Sequence, residues 1–162
     1  MTEGLVLSTL GQNRLFGHLG PEGLAEIAPR FSRELHERDA YIFLEKDPGD
    51  RLFIAASGRV KIVKHTPEGK DVILEIISPP EIFGGVAALD GRPYPASAQA
   101  MEDVTVLSID RRAYFELIEH YPVLALEASI YFGERLRNAY DMLRNISVER
   151  VERRIAALLV RF

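Results

Sequence analysis

Residues 82–99 read IFGGVAALDGRPYPASAQ, from Ile82 to Gln99. The stretch parses as a strand end, a tight turn at Gly84-Gly85, a short helical segment, a Gly91-Arg92-Pro93 loop and a return into the next strand. A glycine turn that opens a helix gathers several backbone N–H groups in one place, which suits an anion or a polar ligand. The loop then lays a second wall over the same spot. The segment therefore predicts a ligand cradle set into a β scaffold.

The flanking sequence supports that scaffold. Short apolar runs occur at Tyr41–Leu44, Leu52–Ala55, Val60–Val63, Val72–Ile77 and Val104–Ile109. Turn residues separate them: Asp47-Pro48-Gly49-Asp50, Ser57-Gly58, Pro67-Glu68-Gly69, Pro79-Pro80 and Asp90-Gly91-Arg92-Pro93. Runs this short, rich in Val, Ile and Phe and punctuated by Gly and Pro, predict strands of an antiparallel sandwich or barrel rather than βαβ units. Lys64–Lys70 is the best hairpin.

Helices are expected on both sides. Residues 1–30 carry Leu15, Phe16 and Leu19, then Pro21 in the first turn of a helix that presents Leu24, Ala25, Ile27 and Ala28 on one face. Asp110 is placed to cap a short helix over 111–120. From Pro122 a long helix begins. Ala125, Ser129, Phe132, Leu136, Ala139, Leu143 and Ile146 step alternately by four and three, a heptad stripe with one polar member. The opposite face carries Glu127, Glu134, Arg137, Asp141 and Arg144. Such a stripe is either a docking face on the chain's own β domain or a two-helix seam, and the helix's length favours a homodimer seam. Ser147 is a fair N-cap for a further helix whose apolar residues are Ile155, Ala156, Leu158, Leu159 and Phe162. That uncovered end implies a fragment whose next domain follows Phe162.

Composition narrows the function. Apolar residues make up 47% and charged residues 27%, with a formal net charge of −4. A net acidic chain is a poor phosphate-backbone binder by itself. There are no cysteines, which removes disulfides, cysteine nucleophiles and iron–sulfur clusters. No apolar run spans a membrane and no signal peptide opens the chain, so a cytoplasmic protein is expected. No Ser-His-Asp set or paired carboxylates mark an enzyme, and His65 stands alone among the strands, short of the metal cluster that cupin enzymes need. Catalytic residues: none.

Taken together, residues 43–54 (Phe43 to Ile54), Ser57-Gly58-Arg59-Val60, Thr66–Lys70, Phe83-Gly84 and Leu89–Pro93 resemble the cyclic-nucleotide-binding β-roll. With the long helix and Glu152-Arg153-Arg154-Ile155-Ala156, nearly the whole chain resembles regulators of the cyclic-AMP receptor protein/FNR superfamily. The resemblance implies an α+β fold: an antiparallel β-roll, jelly-roll-like, flanked by short helices and followed by a long dimerisation helix. It implies a sensor domain over 1–120, a dimerisation helix over 121–146, and over 147–162 the first helix of a DNA-binding domain otherwise absent, through which the partner DNA would be read.

Cyclic-nucleotide binders of this superfamily carry Phe-Gly-Glu at the phosphate turn and Arg followed by Ser or Thr after the loop. Here those positions are Gly85, Tyr94 and Pro95, and Pro95 has no N–H to offer. An adenine-contacting Thr-Ser pair falls at Ala139-Tyr140. Cyclic AMP is thereby disfavoured, since burying its phosphate without the arginine leaves an unpaired charge. The expected effector pocket comprises Phe83, Gly84, Gly85, Val86, Tyr94, Pro95, Ala96, Ala139 and Tyr140, with Tyr94 filling the space the arginine vacates. Tyr94–Ala100 and Thr66–Gly69 look most like the branch controlling dissimilatory nitrate respiration, whose members are thought to sense nitric oxide through haem. Haem is therefore a candidate cofactor. Of His18, His36, His65 and His120, none has a ligand's spacing, and His18, beside Leu15, Phe16 and Leu19, is the candidate ligand. A degenerate roll acting only as a dimer scaffold, or a regulatory module of a kinase or channel, are the alternatives.

Overall fold

The computed structural model describes residues 2–159. Two units separate, the first ending at Leu124 and the second beginning at Ala125. In the first, α1 (Thr2–Gln12) and α2 (Gly20–Ile27) are joined through a 3-10 turn at Gly17–Leu19. Pro21 stands in the first turn of α2, as its fixed φ favours. Leu10, Leu15, Phe16 and Ile27 are buried beneath them.

Among the described residues eight strands follow: β1 (Ser32–His36), β2 (Tyr41–Phe43), β3 (Arg51–Ser57), β4 (Val60–His65), β5 (Asp71–Ile77), β6 (Ile82–Phe83), β7 (Ser97–Ala100) and β8 (Val104–Asp110). They form two four-stranded sheets, ordered β1-β8-β3-β6 and β2-β7-β4-β5, with every pairing antiparallel. Each expected apolar run lies on one of them. β1 has no apolar run and was not legible as a strand. It is an edge strand of sequence SRELH, with no residue fully buried.

Inward-facing residues of both sheets share one core. Phe43, Val60, Ile77, Ala98 and Ala100 meet Phe53, Ala55, Phe83, Val104 and Val106. The β4–β5 hairpin closes through Thr66, whose carbonyl accepts from Gly69 N–H at 2.9 Å while Gly69 takes φ +76°. Between β6 and β7 lies α3 (Gly85–Asp90), and after β8 lies α4 (Arg111–His120), capped as expected by Asp110, whose carboxylate accepts from Ala113 N–H at 2.8 Å.

α5 runs unbroken over Val123–Leu159. This corrects the expectation of a new helix capped by Ser147. The Ser147 hydroxyl donates to the Leu143 carbonyl at 3.0 Å, the bond of a serine inside a helix rather than at its start. Seam positions Ala125, Ser129, Leu136, Ala139, Leu143 and Ile146 are exposed, and Phe132 is half-buried. Ser129, the polar member, is satisfied within the helix by the Ala125 carbonyl at 2.8 Å. The side chains of Leu158 and Leu159, and the whole of Phe162, lie outside the described residues. Among the described residues no helix is long and apolar enough to cross a membrane.

Candidate functional site

The cradle begins where β6 ends. Gly84 takes φ +71° and ψ 1°, a left-handed turn that opens α3. A Cβ there would lie 3.2 Å from both Phe53 Cδ2 and Tyr94 Cε1, so the position requires glycine for its conformation and for its space. Gly85, Ala87 and Ala88 are buried, whereas Val86 points to solvent. α3 stops at Gly91, also left-handed.

The loop beyond is bound to the turn between β2 and β3. Tyr94 N–H donates to the Asp47 carbonyl at 3.0 Å, and Lys46 N–H donates to the Tyr94 carbonyl at 2.9 Å. Gly49 is pressed against the Arg92 carbonyl so closely that a Cβ would collide with it, and would lie 2.5 Å from Ala87 Cβ. The two walls of the cradle are thus joined backbone to backbone.

Tyr94 occupies the space between them. It is 3% exposed. Its ring stacks on Phe43 at 3.8 Å between centroids, 15° from parallel. Phe43 in turn neighbours Phe53 at 5.5 Å and Phe83 at 6.1 Å. The hydroxyl donates to the Arg51 carbonyl at 2.8 Å and accepts from Arg51 N–H at 3.2 Å. Burial pushes the phenol up to about 12.

The Arg51 side chain is committed elsewhere. Its guanidinium pairs with Glu34 and Ser108 and lies over the Phe53 ring, 5.2 Å from the centroid. The Ser108 hydroxyl donates to Glu34 at 2.5 Å, and His36 Nε2 lies 3.5 Å from the second Glu34 oxygen. Partial burial works to raise the Glu34 carboxyl, but the Ser108 hydrogen bond and the Arg51 charge outweigh it and hold the group below its usual value. Arg92 is exposed, its backbone N–H bonded to Asp90 at 2.9 Å.

The structure brings Phe83, Gly84 and Tyr94 together in the first unit, Gly85 is buried at the start of α3, and Ala96 is buried. Pro95 is exposed, and its carbonyl accepts from Lys64 Nζ at 2.8 Å. Ala139 and Tyr140 are exposed residues of α5 in the second unit. Phe43, Phe53 and Arg51 were not singled out as site residues from sequence. The signal available was that all three lie on the strands flanking the Asp47–Asp50 turn.

His18 is exposed, in the Gly17–Leu19 turn. His65 pairs with Asp71 at 2.5 Å and His120 lies 3.5 Å from Glu26, both at the surface. None of the four histidines belongs to the core that the aromatic rings fill. Among the described residues no three His, Asp or Glu side chains are grouped to hold a metal ion.

Two antiparallel four-stranded sheets enclosing a glycine-turned cradle define a cyclic-nucleotide-binding-type β-roll. Residues 33–121 match the family model of the cyclic nucleotide-binding domain. The chain is 33% identical to the Cyclic AMP receptor protein of Thermus thermophilus, over 91% of this chain and 68% of that protein. The crystal structure of the Thermus thermophilus Catabolite Activator Protein superposes with a TM-score of 0.76 at 33% identity, covering 83% of this chain and 63% of that one. The sensor domain of the transcriptional regulator DNR from Pseudomonas aeruginosa superposes with a TM-score of 0.74 at 27% identity, covering 86% and 94%. The chain belongs to the cyclic nucleotide-binding domain family, among the cyclic-AMP receptor protein/FNR-type transcriptional regulators, and those relatives are regulators rather than enzymes. It spans about two thirds of the curated relative's length.

Proposed function

We propose that the chain is the effector-sensing and dimerisation portion of a bacterial transcriptional regulator, and that its effector is not a cyclic nucleotide. One observation carries the second clause: Tyr94 fills the cradle, stacked on Phe43 and bonded to both backbone groups of Arg51. A cyclic nucleotide would have to expel a buried aromatic ring and then seat its phosphate without the Arg51 guanidinium, which is already paired with Glu34. Homodimerisation through α5 is supported by the exposed heptad stripe, and DNA recognition would fall to a domain outside this chain.

The packed interior also favours a second reading, in which the roll binds nothing in its cradle and serves as a rigid dimer scaffold. Haem draws no support from this geometry. An axial ligand must reach into an apolar pocket, and His18 lies exposed on a surface turn. The expectation that Ala139 and Tyr140 complete the effector pocket rests on the resemblance alone.

Thermal unfolding with and without 1 mM cyclic AMP tests the proposal. A dissociation constant near 10 μM would stabilise the fold by about 2.7 kcal/mol under those conditions. An unchanged Tm is the expected result, and a rise of several degrees that saturates with nucleotide would overturn it. A haemin titration followed at the Soret band tests the haem candidate in the same preparation.

A further inference from the structure

The N-terminal helical segment and the end of α4 share one carboxylate. Glu26, in the last turn of α2, accepts a hydrogen bond from the Tyr121 hydroxyl at 2.5 Å, and its other oxygen lies 3.5 Å from His120 Nε2. The His120 and Tyr121 rings meet edge to face at 4.7 Å. One turn further along, Arg30 Nη1 donates to Glu116 at 3.0 Å, and the second Glu116 oxygen accepts from Arg112 Nε at 3.2 Å. Beneath these contacts Ile27 and Leu117 form a buried apolar floor, and a cleft of about 470 Å³ lies between the two walls.

Tyr121 is also the joint at which α4 gives way to α5. Its backbone leaves the helical region at φ −122° and ψ 79°, as Pro122 demands of the residue before it. Its N–H donates to the Leu117 carbonyl at 2.7 Å, and its own carbonyl accepts from Leu124 N–H at 2.9 Å. The residue thus ends one helix with its N–H and starts the next with its carbonyl, while its side chain reaches across to α2.

We propose that Glu26 is a positioning residue for this joint. By holding Tyr121 and His120 it ties the N-terminal helical segment to the start of α5, so that the two open and close as one element. The bond to Tyr121 is charge-assisted and short, although it lies at the surface. It leaves a signature: because its hydroxyl is given to the Glu26 carboxylate, the Tyr121 phenol ionises above its usual pH. The inference holds whatever the cradle binds.

Native-state hydrogen exchange on the whole chain, with Glu26→Gln, Tyr121→Phe and the double variant, tests it. Each single change is expected to speed exchange at amides of Gly20–Arg30 and at Leu124 together, by roughly five-fold, the scale of one exposed polar contact. The double variant should fall clearly short of the sum of the two single effects, since both changes weaken the same hydrogen bond. β3 and β8 amides should be unmoved. Faster exchange on one side alone, an additive double variant, or no change would overturn the proposal. Phenol absorbance titration is the second readout. Glu26→Gln should lower the ionisation pH of the tyrosine that Tyr121→Phe removes, and an unshifted titration would show that the bond does not exist in solution.

Discussion

The Tyr94 ring lies flat on Phe43, 3.8 Å between centroids and 15° from parallel, with its hydroxyl bonded to the backbone of Arg51. This pair closes the cradle from inside. Tyr94→Ala should therefore act as a core truncation, destabilising the fold by about 3–5 kcal/mol. Tyr94→Phe keeps the stack but strands the Arg51 carbonyl, and should cost about 1 kcal/mol. Urea unfolding of both variants separates the two contributions. Equal, small losses would mean that the ring is not packed in solution.

Gly49 makes the complementary contact on the backbone side. Its left neighbour Pro48 and right neighbour Asp50 bring the β2–β3 turn against Ala87 and the Arg92 carbonyl, leaving no room for a methyl group. Gly49→Ala should destabilise by about 1–3 kcal/mol, the cost of overpacking. Gly69→Ala meets nothing within 4 Å but sits at φ +76°, so it reports backbone strain without a clash. The Gly49 change should be the more costly by chemical denaturation.

Much of this architecture was legible from sequence, and the failures have physical causes. Strands with apolar runs bounded by Gly and Pro stood out. β1 did not, because an edge strand with solvent on one side carries Glu34 and His36 as readily as leucine. The resemblance to cyclic-nucleotide binders marked Tyr94 as a space-filler, but its partners were not legible. Arg51 is 43 residues away in sequence, and no local pattern marks the pairing. Exposure of His18 was equally hidden, since its apolar neighbours Leu15 and Phe16 turn inward while the imidazole turns out.

Tyr114 offers a gain rather than a loss. It is fully buried, packed edge-on against Phe16 at 6.4 Å, and among the described residues its hydroxyl has no hydrogen-bond partner. Tyr114→Phe should raise stability by about 1 kcal/mol at neutral pH by removing a stranded polar atom. Burial also pushes its phenol up to about 12, as it does for Tyr94. A tyrosine whose folded value lies above its unfolded value near 10 stabilises the fold fully below pH 10 and loses that contribution as pH rises toward about 12. Stability should therefore fall above pH 10, by up to about 1.4 kcal/mol per pH unit for each tyrosine. Tyr114→Phe should make that decline shallower, which unfolding curves between pH 9 and 11.5 would reveal.

The seam reading makes its own demand on α5. Leu136 and Leu143 are 53% and 62% exposed in a single chain, and a two-helix seam would bury both. Leu136→Glu places a charge in that seam and should convert a dimer to monomers in sedimentation velocity. Sedimentation identical to the parent chain would remove the seam from consideration.

Ser147 decides between two descriptions of the C-terminal helix. As an N-cap it would hold the first N–H groups of a separate helix, and Ser147→Ala would cost about 1 kcal/mol. In the observed helix, continuous over Val123–Leu159, the hydroxyl instead returns to the Leu143 carbonyl four residues back. That carbonyl already accepts within the helix, so the side-chain bond adds little, and alanine has the higher helix propensity by up to about 0.5 kcal/mol. Ser147→Ala should therefore leave helicity and stability unchanged or slightly raised. Circular dichroism at 222 nm with a thermal melt makes the measurement. A drop in both would restore a break at residue 147, and with it a pivot in the middle of α5. An unchanged or higher signal agrees with a helix that continues through residue 147.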